Sequence, residues 1–341
     1  MFAVLNPGGR DADQVFSEAA GAPDAPGHPP VNYHAYAACC RGGFFRSEKS
    51  LPASPGRVLV LLRKRNLRKA LAAVVSLRQR GWDVRISCKE SGSHQVAGLL
   101  GDVSRWQLFQ EICAAADGAI SSTPELVSLY LAAGCARAEF VPTPYPVDAP
   151  AWDFRQPLDK RRGIFLGTRE FGTPSRNHLA AVALADELSR ELSCPLAVVN
   201  TEGRSGGMIL KSFRRKNPLL FVIEAPLAYP DYLRVMALHR IVWQLDASSV
   251  PGQVAGDALL CRMPCLGGNG AIDRLAFPEM AEKSRPELAA CARELLQSDS
   301  AWREAVSASQ ERAQAALSFS ALAPALCGGR PPTERPPDEQ P

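Results

Sequence analysis

Apolar positions in the first fifty-six residues follow no steady period, and from residue 57 onward they settle into a regular alternation. The run Val58-Leu59-Val60-Leu61-Leu62 has no polar face, as expected of a strand covered on both sides. Behind it Leu67, Ala70, Leu71, Val74, Val75 and Leu77 recur at helical spacing, with Asn66 placed to cap the helix and Gly81 to end it. A strand over 84–87, helical segments near 93–100 and 104–116, and a strand over 118–121 continue the rhythm. A helix over 124–133, closed by Gly134, and a strand over 139–141 complete it. Ahead of this region only a strand over 1–5 and a short helix over 32–40 stand out from an irregular background.

Pro142, Pro144, Pro146, Pro150 and Pro157 then break the pattern and predict an extended, semi-rigid connector. After Arg162 the alternation resumes, with strands over 163–167, 196–200, 219–223, 241–245 and 265–266. Helices are expected over 175–192, 207–215, 229–238, 252–261, 286–297 and 300–316. Strand alternating with helix is the mark of parallel sheets with helices on both faces, so the fold class is α/β in two domains. The expected division is an N-terminal domain over 1–145, a Pro-rich linker over 146–162 and a C-terminal domain over 163–327. The tail over 328–341, rich in proline and charge, is expected to be disordered.

Composition narrows this picture. A chain of 341 residues with 46% apolar content is able to bury one or two substantial cores. No apolar run approaches the roughly 20 residues that span a bilayer, and the start Met1-Phe2-Ala3-Val4-Leu5 has no basic leader, so a cytoplasmic protein is expected. Among ten cysteines, Cys113, Cys194, Cys261, Cys265 and Cys291 sit in or beside apolar segments and read as reduced, structural thiols. Cys39-Cys40 has no CxxC partner, so no metal site is expected. A net charge of +4, from 39 basic and 35 acidic residues, is too mild to imply nucleic acid. Arg63, Lys64, Arg65, Arg68 and Lys69 are clustered, however. They read either as a solvated helix start or as a contact for anionic lipid or a phosphorylated ligand.

The phosphate loop GxxxxGK[ST], GxGxxG and HExxH are absent. Chemistry is carried instead by an arrangement. The strand ending in Gly167-Thr168-Arg169 puts an arginine at the carboxyl edge of a sheet, where ligands of open α/β folds bind. Arg169 offers a planar fork of donors to a diphosphate, and Arg176 at the next helix start adds a second. The second element runs from Ser249 past Gly252 and Asp257 to Gly267-Gly268-Asn269-Gly270. Here the glycine pair lets backbone approach a ligand, and Asp257 either accepts from sugar hydroxyls or serves a cap or salt bridge. The ligand site is expected in the cleft between the domains, around residues 249–270.

These segments together resemble the glycosyltransferases of the GT-B fold, particularly the large retaining, nucleotide-sugar-dependent group, family 4-like. Gly167-Thr168-Arg169 is similar to that group's Gly-Arg turn. Asp257-Ala258-Leu259-Leu260-Cys261-Arg262-Met263-Pro264-Cys265 matches the latter half of its Glu-x7-Glu, Ala-x-Ala-x-Gly-x-Pro-Val signature, and Gly267-Gly268 through Asp273 its following Gly-Gly element. Residues 116–122 and 140–148 resemble segments of its first domain. Ser249 stands where the first glutamate belongs, the second is shortened to Asp257, and Arg262 replaces a glycine. The chain therefore reads as a divergent member.

The resemblance implies two Rossmann-like domains facing across a cleft. It also implies hexosyl transfer from a nucleotide-diphosphate sugar to a glycan, lipid-linked or other acceptor, without metal or cofactor. Arg169, Asp257 and His94 would be the catalytic set. Gly167, Thr168, Arg176, Ser249, Gly252, Gly267, Gly268 and Asn269 would contact the donor. A peripheral contact with the inner membrane face is expected from the basic cluster, and none with nucleic acid. The competing readings are an inactive nucleotide-sugar-binding or scaffold protein and a sugar-nucleotide epimerase.

Overall fold

The computed structural model describes residues 1–224, 226–281 and 283–328, so the tail expected to be disordered lies, from residue 329, outside the described residues. The chain divides into two units. The first holds Met1–Glu90, Gln95–Asp148 and the segment from Leu317; the second holds Ser91–His94 and Ala149–Ala316.

In the first unit β1 (Phe2–Leu5), β2 (Gln14–Val15), β3 (Gly43–Phe45), β4 (Arg57–Leu62), β5 (Asp83–Cys88), β6 (Gly118–Ser121) and β7 (Ala138–Phe140) form one sheet. Their order is β2-β3-β1-β4-β5-β6-β7, parallel except between β2 and β3. The apolar run at 58–62 acquires its reason here. Val58, Val60 and Leu62 face a core built with the helices Leu67–Gln79 and Val103–Ala115, through Ala70, Val74, Phe109 and Ile112. Leu59 and Leu61 face a second core with the helix Asn32–Cys39, through Tyr36 and Ala37. Both faces are buried, so neither set of positions is polar.

Three expectations require correction. The stretch read as irregular supplies β2 and β3, whose few residues are too short to show a period. Asn66 occupies the cap position but does not cap: its Nδ2 donates to Pro7 O (3.2 Å) and Leu61 O (3.0 Å), and its Oδ1 accepts from Arg63 N (2.7 Å). The second domain ends at Ala316 and not at 327. The helix Phe319–Leu326 returns to the first unit, where Cys39 Sγ donates to Phe319 O (3.3 Å) and Arg57 Nη1 to Leu326 O (2.7 Å).

The Pro-rich segment is also more than a linker. Tyr145 and Val147 are buried in the first unit, and Trp152 and Arg161 in the second. Arg161 donates to Gln156 O (3.0 Å) and Cys261 O (2.8 Å) and stacks over Trp302 at 5.2 Å. The segment is not the extended connector expected: Pro150–Trp152 and Leu158–Lys160 are turns of 3-10 helix, and the buried residues anchor it.

The second unit is a parallel sheet of β8 (Ile164–Leu166), β9 (Leu196–Val199), β10 (Leu220–Ile223), β11 (Ile241–Trp243) and β12 (Cys265–Leu266). Its order β10-β9-β8-β11-β12 winds outward from β8, then reverses. The reversal opens a switch point between the carboxyl ends of β8 and β11, the place where such sheets take ligands. Leu166, Val182, Val198, Leu210 and Trp243 fill one core. All ten cysteines of the chain are free thiols.

Candidate functional site

At the switch point β8 runs into Gly167-Thr168-Arg169. A Cβ on Gly167 would stand 2.2 Å from Val254 Cγ1, so glycine here lets the turn lie against the helix Gln253–Leu260. Thr168 is buried, and its hydroxyl pairs with His178 Nδ1 at 2.9 Å. Burial lowers the His178 imidazole to about 4, so it stays neutral, and its Nε2 is buried without a hydrogen-bond partner among the described residues.

Arg169 turns the other way. Half-buried, it lays its guanidinium over the Tyr232 ring at 4.8 Å. Tyr232 and Tyr229 both belong to the helix Tyr229–Met236, and Tyr229 donates its hydroxyl to Asp257 Oδ1 at 2.5 Å. Burial, then the Asp257 charge, pushes the Tyr232 hydroxyl well above its ordinary range, while Arg169 opposes the shift. The Tyr232 hydroxyl has no hydrogen-bond partner among the described residues. The structure thus brings Arg169 and Asp257 to one aromatic cluster, which Trp152 extends at 6.1 Å from Tyr229. Asp257 itself is fully buried.

Arg176 is engaged differently. It pairs with Asp246 and, at 3.3 Å, with Glu170. Ala247 N donates to Ser175 O (2.8 Å), Ser248 Oγ to Ser175 Oγ (2.9 Å), and Asn177 Nδ2 to Leu245 O (3.0 Å). These bonds join the loops that follow β8 and β11. The helix expected from Ser175 starts at His178, because Asn177 takes a left-handed conformation at φ 48°.

The glycine-rich loop closes on its own chain. Gly267 has φ 84°, and a Cβ there would meet Gln244 O at 2.0 Å. A Cβ on Gly268 would meet Asp273 Oδ1 at 2.2 Å, and one on Gly252 would meet Asp273 Oδ2 at 2.8 Å. Asp273 is buried, accepting from Gln244 Nε2 at 2.8 Å. Burial, reinforced by the charge of Asp246, raises its carboxyl to about 7. Asn269 serves the same loop: Oδ1 accepts from Ser249 N (2.9 Å) and Nδ2 donates to Ser249 Oγ (3.3 Å). Ser249, at φ 48°, is therefore a structural element of the turn.

In the first unit the winding reverses between β1 and β4. Asn6, just after β1, is fully buried, and neither side-chain polar atom is bonded among the described residues. A groove of about 620 Å³ is lined by Lys64, Arg65, Arg68, Lys69 and Arg105, with Glu111 as its acid. Arg63 lies 3.9 Å from Glu90. His94, which groups with the second unit, is exposed in the first turn of the helix Ser93–Leu100.

Sequence reasoning missed Tyr229 and Tyr232, whose three-residue spacing places them on one helix side, and Asp246, whose role depends on Arg176 from another loop. Among the described residues no group of three or more His, Cys, Asp or Glu is arranged to hold a metal ion. No described helix is long and apolar enough to cross a membrane.

No family model matches the chain, and no curated protein matches it in sequence. Solved structures do match in fold. The sucrose-phosphate synthase of Thermosynechococcus elongatus is 16% identical with a TM-score of 0.57, covering 94% of this chain and 96% of that one. The α,α-trehalose 6-phosphate synthase of Burkholderia multivorans is 11% identical with a TM-score of 0.58, covering 82% and 72%. A mutant of S. aureus TarM, in complex with fondaparinux, alpha-GlcNAc-glycerol and UDP, is 11% identical with a TM-score of 0.59, covering 84% and 57%. The chain has the GT-B fold, built of two Rossmann-like domains.

Proposed function

We propose that the chain is a glycosyltransferase that moves a hexosyl group from a nucleotide-diphosphate sugar to a glycan or lipid-linked acceptor, with neither metal nor cofactor as catalyst. The observation that carries the reading is Arg169: a half-buried cation at the switch-point edge of β8, held over Tyr232 and unpaired with any carboxylate among the described residues. A guanidinium preset in this way stabilises the charge that develops on a departing diphosphate. Asp257 acts as a positioning residue, holding Tyr229 and, with Arg169, setting the field around Tyr232. Gly167 lets the turn sit close to the helix behind it. Thr168 and Arg176 shape the phosphate pocket through His178 and Asp246. Ser249, Gly252, Gly267, Gly268 and Asn269 form its wall around Asp273. His94 is the acceptor-side base in this proposal. The protein works in the cytoplasm and makes a peripheral contact with the anionic inner membrane face.

Calorimetry against a panel of UDP-, GDP- and ADP-sugars tests the donor step. Heat from one nucleotide class, lost for the free nucleoside, is expected; silence from every donor sinks the proposal. The Ser249–Asn269 pairing, at the position where the family resemblance implies a carboxylate, favours a second reading: a protein that binds the donor without transferring it. Donor binding with no hydrolysis or transfer across varied acceptors selects that reading. Sugar interconversion without an acceptor would select an epimerase.

A further inference from the structure

The helix Gly203–Arg214, which joins β9 to β10, has two contrasting sides. Gly206 and Leu210 are buried, and Phe213 packs partly against the core of the second unit. Outward, Arg204, Met208, Lys211 and Arg215 follow one another at spacings of four, three and four, which lines them up as a single stripe. All four are exposed, and Met208 keeps 68% of its surface. Arg214 and Lys216 extend the charge, Leu219 adds exposed apolar surface, and no carboxylate occurs from residue 203 to 223. The acids on either flank are hydrogen-bonded within the chain. Glu202 accepts from Gly172 N at 3.2 Å, and Glu224 from Asn200 Nδ2 at 2.6 Å.

An exposed, flexible apolar side chain among cations fits a particular surface. Arginine and lysine lay their stems along the acyl boundary while their heads bind lipid phosphates, and the thioether enters between them. A second copy of the chain, meeting this face about a two-fold axis, would oppose cation to cation. We propose that the outer face of the helix Gly203–Arg214 docks the protein on an anionic membrane, with Met208 as the inserted residue. The inference rests only on the membrane part of the proposed function. It assigns that contact to a surface of the second unit, separate from the basic groove of the first.

Co-sedimentation of the full chain with phosphatidylcholine vesicles, with and without phosphatidylglycerol, tests it. Binding is expected only with the anionic lipid and should fall as salt rises. Replacing Arg204, Lys211 and Arg215 together by serine should weaken it about 100-fold, near fivefold for each cation. Met208→Ser should weaken it about fivefold at unchanged charge. Thermal melting controls for folding. Unchanged vesicle binding in the triple variant overturns the inference. So does loss of binding only when Lys64, Arg65, Arg68 and Lys69 are replaced by serine. Binding to an oligonucleotide that needs the same three cations, in a protein indifferent to vesicles, would assign the face to nucleic acid instead. A dimer in light scattering that the triple variant dissolves would assign it to a second copy. Donor calorimetry on the same variants keeps the two proposals apart, since these substitutions should leave nucleotide affinity unchanged.

Discussion

Two stretches of the second unit stand out most clearly in the sequence, the Gly167–Arg169 turn and the glycine-rich loop from Ser249 to Gly270, and they use their residues in opposite ways. At the turn, glycine and threonine are committed inward, to Val254 and His178, and the arginine is left half-buried over an aromatic ring. In the loop every glycine considered is fitted to a group of the chain itself: Gly267 to the Gln244 carbonyl, Gly252 and Gly268 to the Asp273 carboxyl. A glycine pattern reports that something passes close to the backbone. Whether that object is a ligand or the protein's own side chain is decided by what lies opposite.

The contrast breaks most sharply at Gly267. Alanine there meets both a left-handed backbone and an immovable carbonyl, so we expect a loss of about 4 kcal/mol in chemical denaturation. A variant of unchanged stability that had lost only nucleotide affinity would show the loop to be ligand-facing after all.

Asp273 sharpens the same side through pH. Its folded carboxyl sits near 7 against an ordinary 3.8, so between these values the native state holds a proton that the unfolded chain has released. The associated stability is present in full below about pH 4 and is lost as pH rises to 7, on the order of 4 kcal/mol. Asp273→Asn should remove most of that slope, measured as denaturation midpoints from pH 4 to 8. A slope identical to the wild type would separate the carboxyl from the loop's stability.

On the opposite side, Arg169→Ala should reduce affinity for the nucleoside diphosphate selected in the donor panel by about 10- to 100-fold with little change in melting temperature. Affinity for the matching nucleoside should fall far less, because it carries no diphosphate. Equal losses for the two would move the arginine away from the phosphates.

Smaller effects are expected from the committed hydroxyls. Tyr229→Phe leaves the buried Asp257 short of a donor and should cost about 2 kcal/mol of stability. Thr168→Val should cost about 1 kcal/mol and leave nucleotide affinity untouched, since its hydroxyl already serves His178. Weakened nucleotide binding in that variant would return Thr168 to the ligand.

The alternation of apolar runs and helical stripes was enough to read the α/β class, nearly all the strands of both sheets and the turn that carries Arg169. Burial on both faces of a parallel sheet leaves a local signature in every strand, and β4 is the clearest case. The short β2 and β3 left none, being a few residues each, with their pairing supplied by distant partners. The return of the helix Phe319–Leu326 to the first unit was equally invisible, because an apolar helix face does not name the core that will cover it. The same limit governs the site. Residue types and spacing determined that a cation and a glycine-rich loop lie at sheet edges. Only the tertiary structure decided that Arg169 stands over Tyr232, that Arg176 is bound by Asp246, and that the glycines enclose Asp273. Each of those outcomes depends on a side chain from a separate segment, and proximity between segments is created by packing rather than by any local pattern.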